Sequence, residues 1–193
     1  MVHSWGTAMG LAVEYVWVVF ALYWLVSARK LKRAKQRESR FAFWLRAGVL
    51  VAIFEFCFSP WGRIGWLGAR FVPATRAMVA TGLAIEVLGI ALAIWARYCL
   101  GANWSGAVTL KEGHTLIGTG PYKRIRHPIY TGLALGFAGT AIAVGEWRAV
   151  VAFGAIFIAH VIKARKEEAW LAREFGPAFE AHRAHTGMFL PKF

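Results

Sequence analysis

Gly113 to Gly132 reads GHTLIGTGPYKRIRHPIYTG, the one long segment of this 193-residue chain that is neither apolar nor simply charged. His114, Tyr122, Lys123, Arg124, Arg126, His127 and Tyr130 fall within it, punctuated by four glycines and two prolines. The segments on either side are rich in Leu, Ala, Val and Phe. Proline fixes backbone torsions, and a dense set of polar groups needs water or a ligand to satisfy it. A preorganised polar loop between apolar flanks is therefore expected to be a binding site at a membrane surface.

Working outward, five apolar stretches surround that loop: Ala8 to Val26, Trp44 to Pro60, Ala77 to Ala96, Ile129 to Val144 and Ala149 to Ile162. A helix needs about 20 mostly apolar residues to cross the hydrocarbon of a bilayer. The first three approach that length, and the last two are shorter. None alternates apolar with polar residues, which argues against strands. Gly145-Glu146-Trp147-Arg148 is short enough to join the last two as a helical hairpin. The expected fold is all-α: one domain over 1–193, a membrane bundle of about five transmembrane helices. Residues 1–96 supply three spans, and 97–193 supply the loop, the hairpin and a tail.

Composition supports the membrane class. The chain is 58% hydrophobic, with ten Trp and fourteen Phe, and its ten acids are all Glu. A net charge of +13 on so apolar a chain points to an anionic leaflet rather than to nucleic acid. Cys57 and Cys99 sit inside or at the edge of apolar runs, with neither disulfide nor metal-ligand spacing. No basic stretch precedes the first run and no small-residue cleavage site follows it, so it reads as a retained span. Lys and Arg number seven between the first two spans, five in 97–128 and six from Lys163 onward, against three in 61–76 and one in 145–148. With five spans, this asymmetry places the N-terminus outside and the polar loop and tail in the cytoplasm.

Three further features carry weight. The segment from Trp61 to Arg76 is aromatic but broken by Gly and Pro, as expected for a stretch lying along the outer interface. Glu14, Glu55 and Glu86 lie within apolar runs, where a charge is costly. Each is either protonated, paired with Arg46 inside the bundle, or functional. In the tail, Leu171, Phe175 and Phe179 repeat at spacing four, which predicts an amphipathic helix on the cytoplasmic surface, broken at Gly176-Pro177. Glu167 and Glu168 stand one turn past the fifth run, with Lys163, Arg165 and Lys166 close enough in sequence to pair with them.

The segment Gly120 to Gly132 resembles the GPY-x3-RHP-x-Y-x-G motif of the isoprenylcysteine carboxyl methyltransferase family, parts of which the membrane phospholipid N-methyltransferases share. His114-Thr115-Leu116 stands where that family has an HxL element, and Arg97 to Ser105 is similar to the family's segment before the loop. Downstream, Glu167-Glu168, Leu171, Phe175-Gly176 and Phe179 resemble its EE-x2-L-x3-FG-x2-Y pattern, with Phe in place of the final Tyr. The likeness covers roughly the C-terminal half, in order, and the first 75 residues carry no matching motif. It implies an integral membrane methyltransferase using S-adenosylmethionine. His114, Leu116, Ile117, Tyr122, His127, Pro128, Tyr130 and Glu167 are then implied to line the cofactor pocket. The glycine-rich strand-turn-helix of soluble methyltransferases is not evident.

Chemistry makes each role reasonable. Glu167 or Glu168 suits the cofactor's ammonium, and Arg126 with His127 suits its carboxylate. Tyr122 and Tyr130 offer ring faces to the adenine or the sulfonium. A carboxylate acceptor is already ionised at neutral pH and needs only a cation to hold it, Arg165 or Lys163. An amine acceptor must first lose a proton, which a glutamate such as Glu168 would take. The partners expected are a lipid-like acceptor and membrane lipids, with no nucleic acid. Two other classes stay open: an NADPH-dependent sterol-type membrane reductase, and a non-catalytic membrane scaffold.

Overall fold

The computed structural model describes residues 3–27, 34–37, 40–101, 109–111 and 116–192. Each of the five apolar stretches is a helix: α1 (His3–Ser27), α2 (Arg40–Phe58), α3 (Arg76–Leu100), α4 (Pro128–Val144) and α5 (Trp147–Phe175). A sixth, α6 (Pro177–His185), follows directly. The all-helical expectation holds apart from one short ribbon. There β1 (Ala34–Arg37) pairs antiparallel with β2 (Thr109–Lys111), tying the α1–α2 connection to the segment after α3. Among the described residues three helices are long and apolar enough to cross a membrane: α1 over Gly10–Ser27, α3 and α5. The apolar α4 is shorter, at 17 residues.

The tail corrects one expectation. Residues 163–175 do not form a separate surface helix; they continue the fifth apolar run as the last turns of the 29-residue α5. No Gly or Pro lies between Ile162 and Phe175, and the Lys, Ala, Arg and Glu found there are good helix formers, so nothing stops propagation. The break comes where it was expected. Gly176 takes φ 48°, a torsion that L side chains rarely adopt, and Pro177 opens α6.

α3 and α4 pack closely because glycines face each other at a seven-residue spacing, Gly82 and Gly89 on α3 against Gly132 and Gly139 on α4. A methyl group built on Gly82 would come within 2.5 Å of the Ala143 nitrogen, and one on Gly132 within 2.5 Å of the Gly89 carbonyl. Small residues that let backbones touch are a main source of helix association in lipid. The same interface buries polar groups. Trp17 of α1 donates its indole N–H to Thr140 Oγ1 at 2.9 Å, and that hydroxyl lies 3.3 Å from Glu86 Oε2. Glu86 thus meets Thr140 in a fully buried position, whereas Glu14 and Glu55 lie on exposed faces.

The α4–α5 hairpin is present as expected. Gly145 closes α4 in the left-handed region, φ 69°, and Glu146 is the residue before α5. Glu146 accepts from Arg148 Nε at 2.6 Å and from Arg63 Nε at 3.0 Å. Arg148 Nη1 donates to the carbonyls of Phe56 at 2.9 Å and Ser59 at 2.6 Å. This closes the end of the bundle remote from the polar loop. Trp61 and Trp66 beside it are 86% and 64% exposed.

Candidate active site

The polar loop is shaped by its Gly and Pro residues. Gly120 to Lys123 forms one tight helical turn, and Tyr122 at its centre packs against Ala96 and Ile129. Burial, helped by nearby Glu167 and Cys99, pushes the Tyr122 phenol well above its ordinary value, so it stays neutral. Its ring belongs to the packed interior rather than to an open face. Leu116 is half-buried, and Ile117 joins the same cluster. Gly113, His114 and 102–108 lie outside the described residues, so neither the HxL histidine nor most of the segment before the loop is placed.

Pro128 starts α4 and is fully buried. His127 precedes it at the capping position, yet its side chain makes no capping bond. Instead the ring reaches across to α5. His127 Nε2 lies 3.2 Å from Glu168 Oε1, and Nδ1 lies 3.6 Å from Glu167 Oε2. The two glutamates, adjacent in sequence, address the two nitrogens of one imidazole. Both cannot be hydrogen-bonded as acceptors unless the ring is cationic; otherwise the tautomer selects one of them.

Each carboxylate has a second partner. Arg126 Nε donates to Glu168 Oε1 at 2.7 Å, with side chains only 11% and 12% exposed. Tyr130 donates its hydroxyl to Glu167 at 2.8 Å, and Lys163 Nζ lies 4.0 Å from the same carboxylate. Glu168 is therefore well occupied by Arg126 and His127, while Glu167 is more open, with its side chain 24% exposed. Beside Glu168, Arg165 and Arg183 line a cleft of about 320 Å³ floored by Ala169, Ala172, Phe179 and Met188. Phe179, the residue that departs from the resembled pattern, is 1% exposed and serves as packing.

Among the expected site residues, Arg126, His127, Tyr130, Glu167 and Glu168 come together directly. Arg165 stands exposed at the cleft, one turn before Ala169. His160 was missed by the sequence reading. Its ring stacks on Tyr130 at 4.9 Å, and Lys163 Nζ lies 5.3 Å from the centre of the Tyr130 ring. The signal was present: His160, Lys163 and Glu167 recur at i, i+3 and i+7, one face of a helix. Tyr130 also stacks on His127 at 5.5 Å, so its ring is engaged by protein groups and its hydroxyl by Glu167.

Residues 77–178 match the phospholipid methyltransferase family, a stretch that takes in α3, the polar loop, α4 and α5. The chain belongs to that family. That family falls within the isoprenylcysteine carboxyl methyltransferase-like group of membrane methyltransferases. The match gives the reductase alternative no support. A curated relative, the cobalt-zinc-cadmium resistance protein CzcN of Cupriavidus metallidurans, is 34% identical over 112 residues. That alignment covers 57% of this chain and 49% of the relative, so the chain spans about half the length of the curated relative it matches. Among the described residues, no group of three His, Cys, Asp or Glu is placed to hold a metal ion.

Proposed function

We propose that this methyltransferase uses S-adenosylmethionine to methylate a lipid-like acceptor at the cytoplasmic face of the membrane. The acceptor is either an isoprenylcysteine-type carboxylate or a phospholipid head group. The observation that carries the reading is the convergence of Arg126, His127 and Tyr130 from one end of α4 on Glu167 and Glu168 of α5. The cytoplasmic assignment rests on the basic loops and tail that share this end.

The side chains fit the cofactor's charges. Glu167, the more accessible carboxylate, suits the ammonium through a charge-assisted hydrogen bond. Arginines at the adjoining cleft, Arg165 and Arg183, suit a carboxylate. Leu116 and Ile117, both half-buried, supply apolar walls, Pro128 starts α4, and His127 stands between the two glutamates. The cofactor when bound supplies a methyl group already activated on sulfur, so alignment is the protein's main task. Arg126 acts by holding Glu168, and Glu168 by holding His127. An amine acceptor would also lose a proton, for which Glu167 and Glu168 are the carboxylates at hand.

Calorimetric titration of the detergent-solubilised protein with S-adenosylhomocysteine tests this. One-to-one binding is expected in the wild type, weakened tenfold or more in His127→Ala and Glu167→Ala at unchanged fold. Thermal stabilisation by NADPH but not by S-adenosylmethionine would overturn the assignment.

A further inference from the structure

The C-terminal segment after α6 lies beyond the residues that match the family, and only its Met188, on the cleft floor, has a place in the site described so far. It does not trail away from the fold. Arg126 donates its backbone N–H to the Gly187 carbonyl at 2.8 Å, and His127 donates its own to the Met188 carbonyl at 3.0 Å. Gly187 returns a bond to the Arg124 carbonyl at 3.0 Å. Thr131 Oγ1, one turn into α4, donates to the Phe189 carbonyl at 2.7 Å. Four backbone groups of the tail thus grip both sides of the Arg126-His127 step.

The side chains continue the pattern. Arg126 Nη1 donates to the Thr186 carbonyl, so the guanidinium that holds Glu168 is itself aimed by the tail. Thr186 is 2% exposed, and its hydroxyl donates to the His182 carbonyl at 2.6 Å, fixing the exit of the chain from α6. The Phe189 ring lies 6.0 Å from His127 and 5.8 Å from Phe157 of α5. It therefore approaches the imidazole and α5 at once, tilted 46° to the His127 ring.

We infer that Thr186 to Phe189 is a clasp belonging to the active site, with Thr186 and Phe189 as positioning residues for Arg126 and His127. The physical reason is that backbone bonds set where the loop lies, while the Phe189 ring and the Thr186 carbonyl set two side-chain directions. A polar constellation performs only when its supporting shell fixes it to within about half an ångström. This inference rests on the methyl-transfer reading for its functional half, and its structural half stands independently.

Two measurements on the full-length protein separate the halves. In hydrogen exchange, Phe189→Ala and Thr186→Val should each speed exchange of the Arg126 and His127 amides at least tenfold, leaving the Phe71 and Trp147 amides at the far end unchanged. In calorimetry with S-adenosylhomocysteine, both variants should weaken Kd about tenfold at undiminished stoichiometry, and Phe189→Leu should restore most of it. General destabilisation would instead lower the stoichiometry and leave Kd alone. Faster exchange with an unchanged Kd would overturn the positioning role, and unchanged exchange would overturn the clasp. If the wild type binds no S-adenosylhomocysteine, the cofactor reading fails, and the exchange result alone decides whether the clasp exists.

Discussion

The two ends of the bundle each hold a cluster of Arg and Glu, and the clusters are built to opposite ends. At the hairpin turn, Glu146 is enclosed by Arg148 and Arg63, and Arg148 also takes the carbonyls of Phe56 and Ser59. Glu146 and Arg148 are both buried there and paired within the chain, and of this cluster Arg63 alone is exposed. At the loop end, Glu167 and Glu168 share one histidine between them, Glu167 stays partly open, and Glu168 lines a cleft. The same residue types close one end and prepare the other. What distinguishes them is whether arginines, in turn anchored on backbone carbonyls, take up the carboxylate.

That contrast can be broken most strongly at the closed end. Glu146→Ala leaves Arg148, whose side chain is 3% exposed, without its carboxylate. Removing one partner of a buried ion pair costs about 3–5 kcal/mol, and the surviving carbonyl bonds put this case near the lower limit, about 3 kcal/mol. Detergent unfolding should show that loss, with S-adenosylhomocysteine affinity unchanged in the molecules that remain folded. A drop in affinity of the folded fraction would mean the ends are coupled.

The open end should respond the other way. Glu168→Gln keeps the shape but removes the charge opposite Arg126, where the pair is about one-tenth exposed. A hydrogen bond to a charged group contributes about 1.5–3 kcal/mol, and an amide oxygen retains part of it. The expected result is a stability loss of about 1 kcal/mol, with ligand affinity falling several-fold. Equal losses of stability at the two ends, with affinity intact, would erase the distinction.

The smallest effect concerns pH. Burial, and after it the charge of Arg126, hold His182 below the usual histidine value of 6.5. Its folded pKa is the lower one, so the unfolded chain binds the proton first, and stability declines as pH falls below about 6.5. His182→Gln should flatten that decline slightly. An unaltered slope would remove His182 from the account.

How far could the sequence be read? The five apolar runs, the hairpin turn at Gly145 and the break at Gly176 were legible because they rest on hydropathy and on glycine and proline, which act locally. The extent of α5 was not, because an amphipathic pattern does not say whether a helix starts afresh or continues from the apolar run before it. At the site, the motif named Arg126, His127, Tyr130, Glu167 and Glu168. It did not show that the two glutamates serve opposite nitrogens of one ring, which depends on how α4 meets α5. The Gly82, Gly89, Gly132 and Gly139 contact and the Phe189 packing are tertiary facts, invisible to any window of sequence. His160 was recoverable from helical spacing alone.

The brevity of α4 bears on the membrane itself. Seventeen residues rise about 26 Å, less than the roughly 30 Å of a typical hydrocarbon core. A mismatch of this kind is met by thinning the bilayer or by sinking the helix ends, each at a fraction of a kcal/mol per ångström. Both adjustments bring the loop at His127 nearer the acyl chains than the head groups of an undisturbed leaflet would lie. For the lipid-like acceptor proposed above, access would then be a matter of bilayer elasticity: its head group would descend to the protein, and the thickness of the host membrane would set how far.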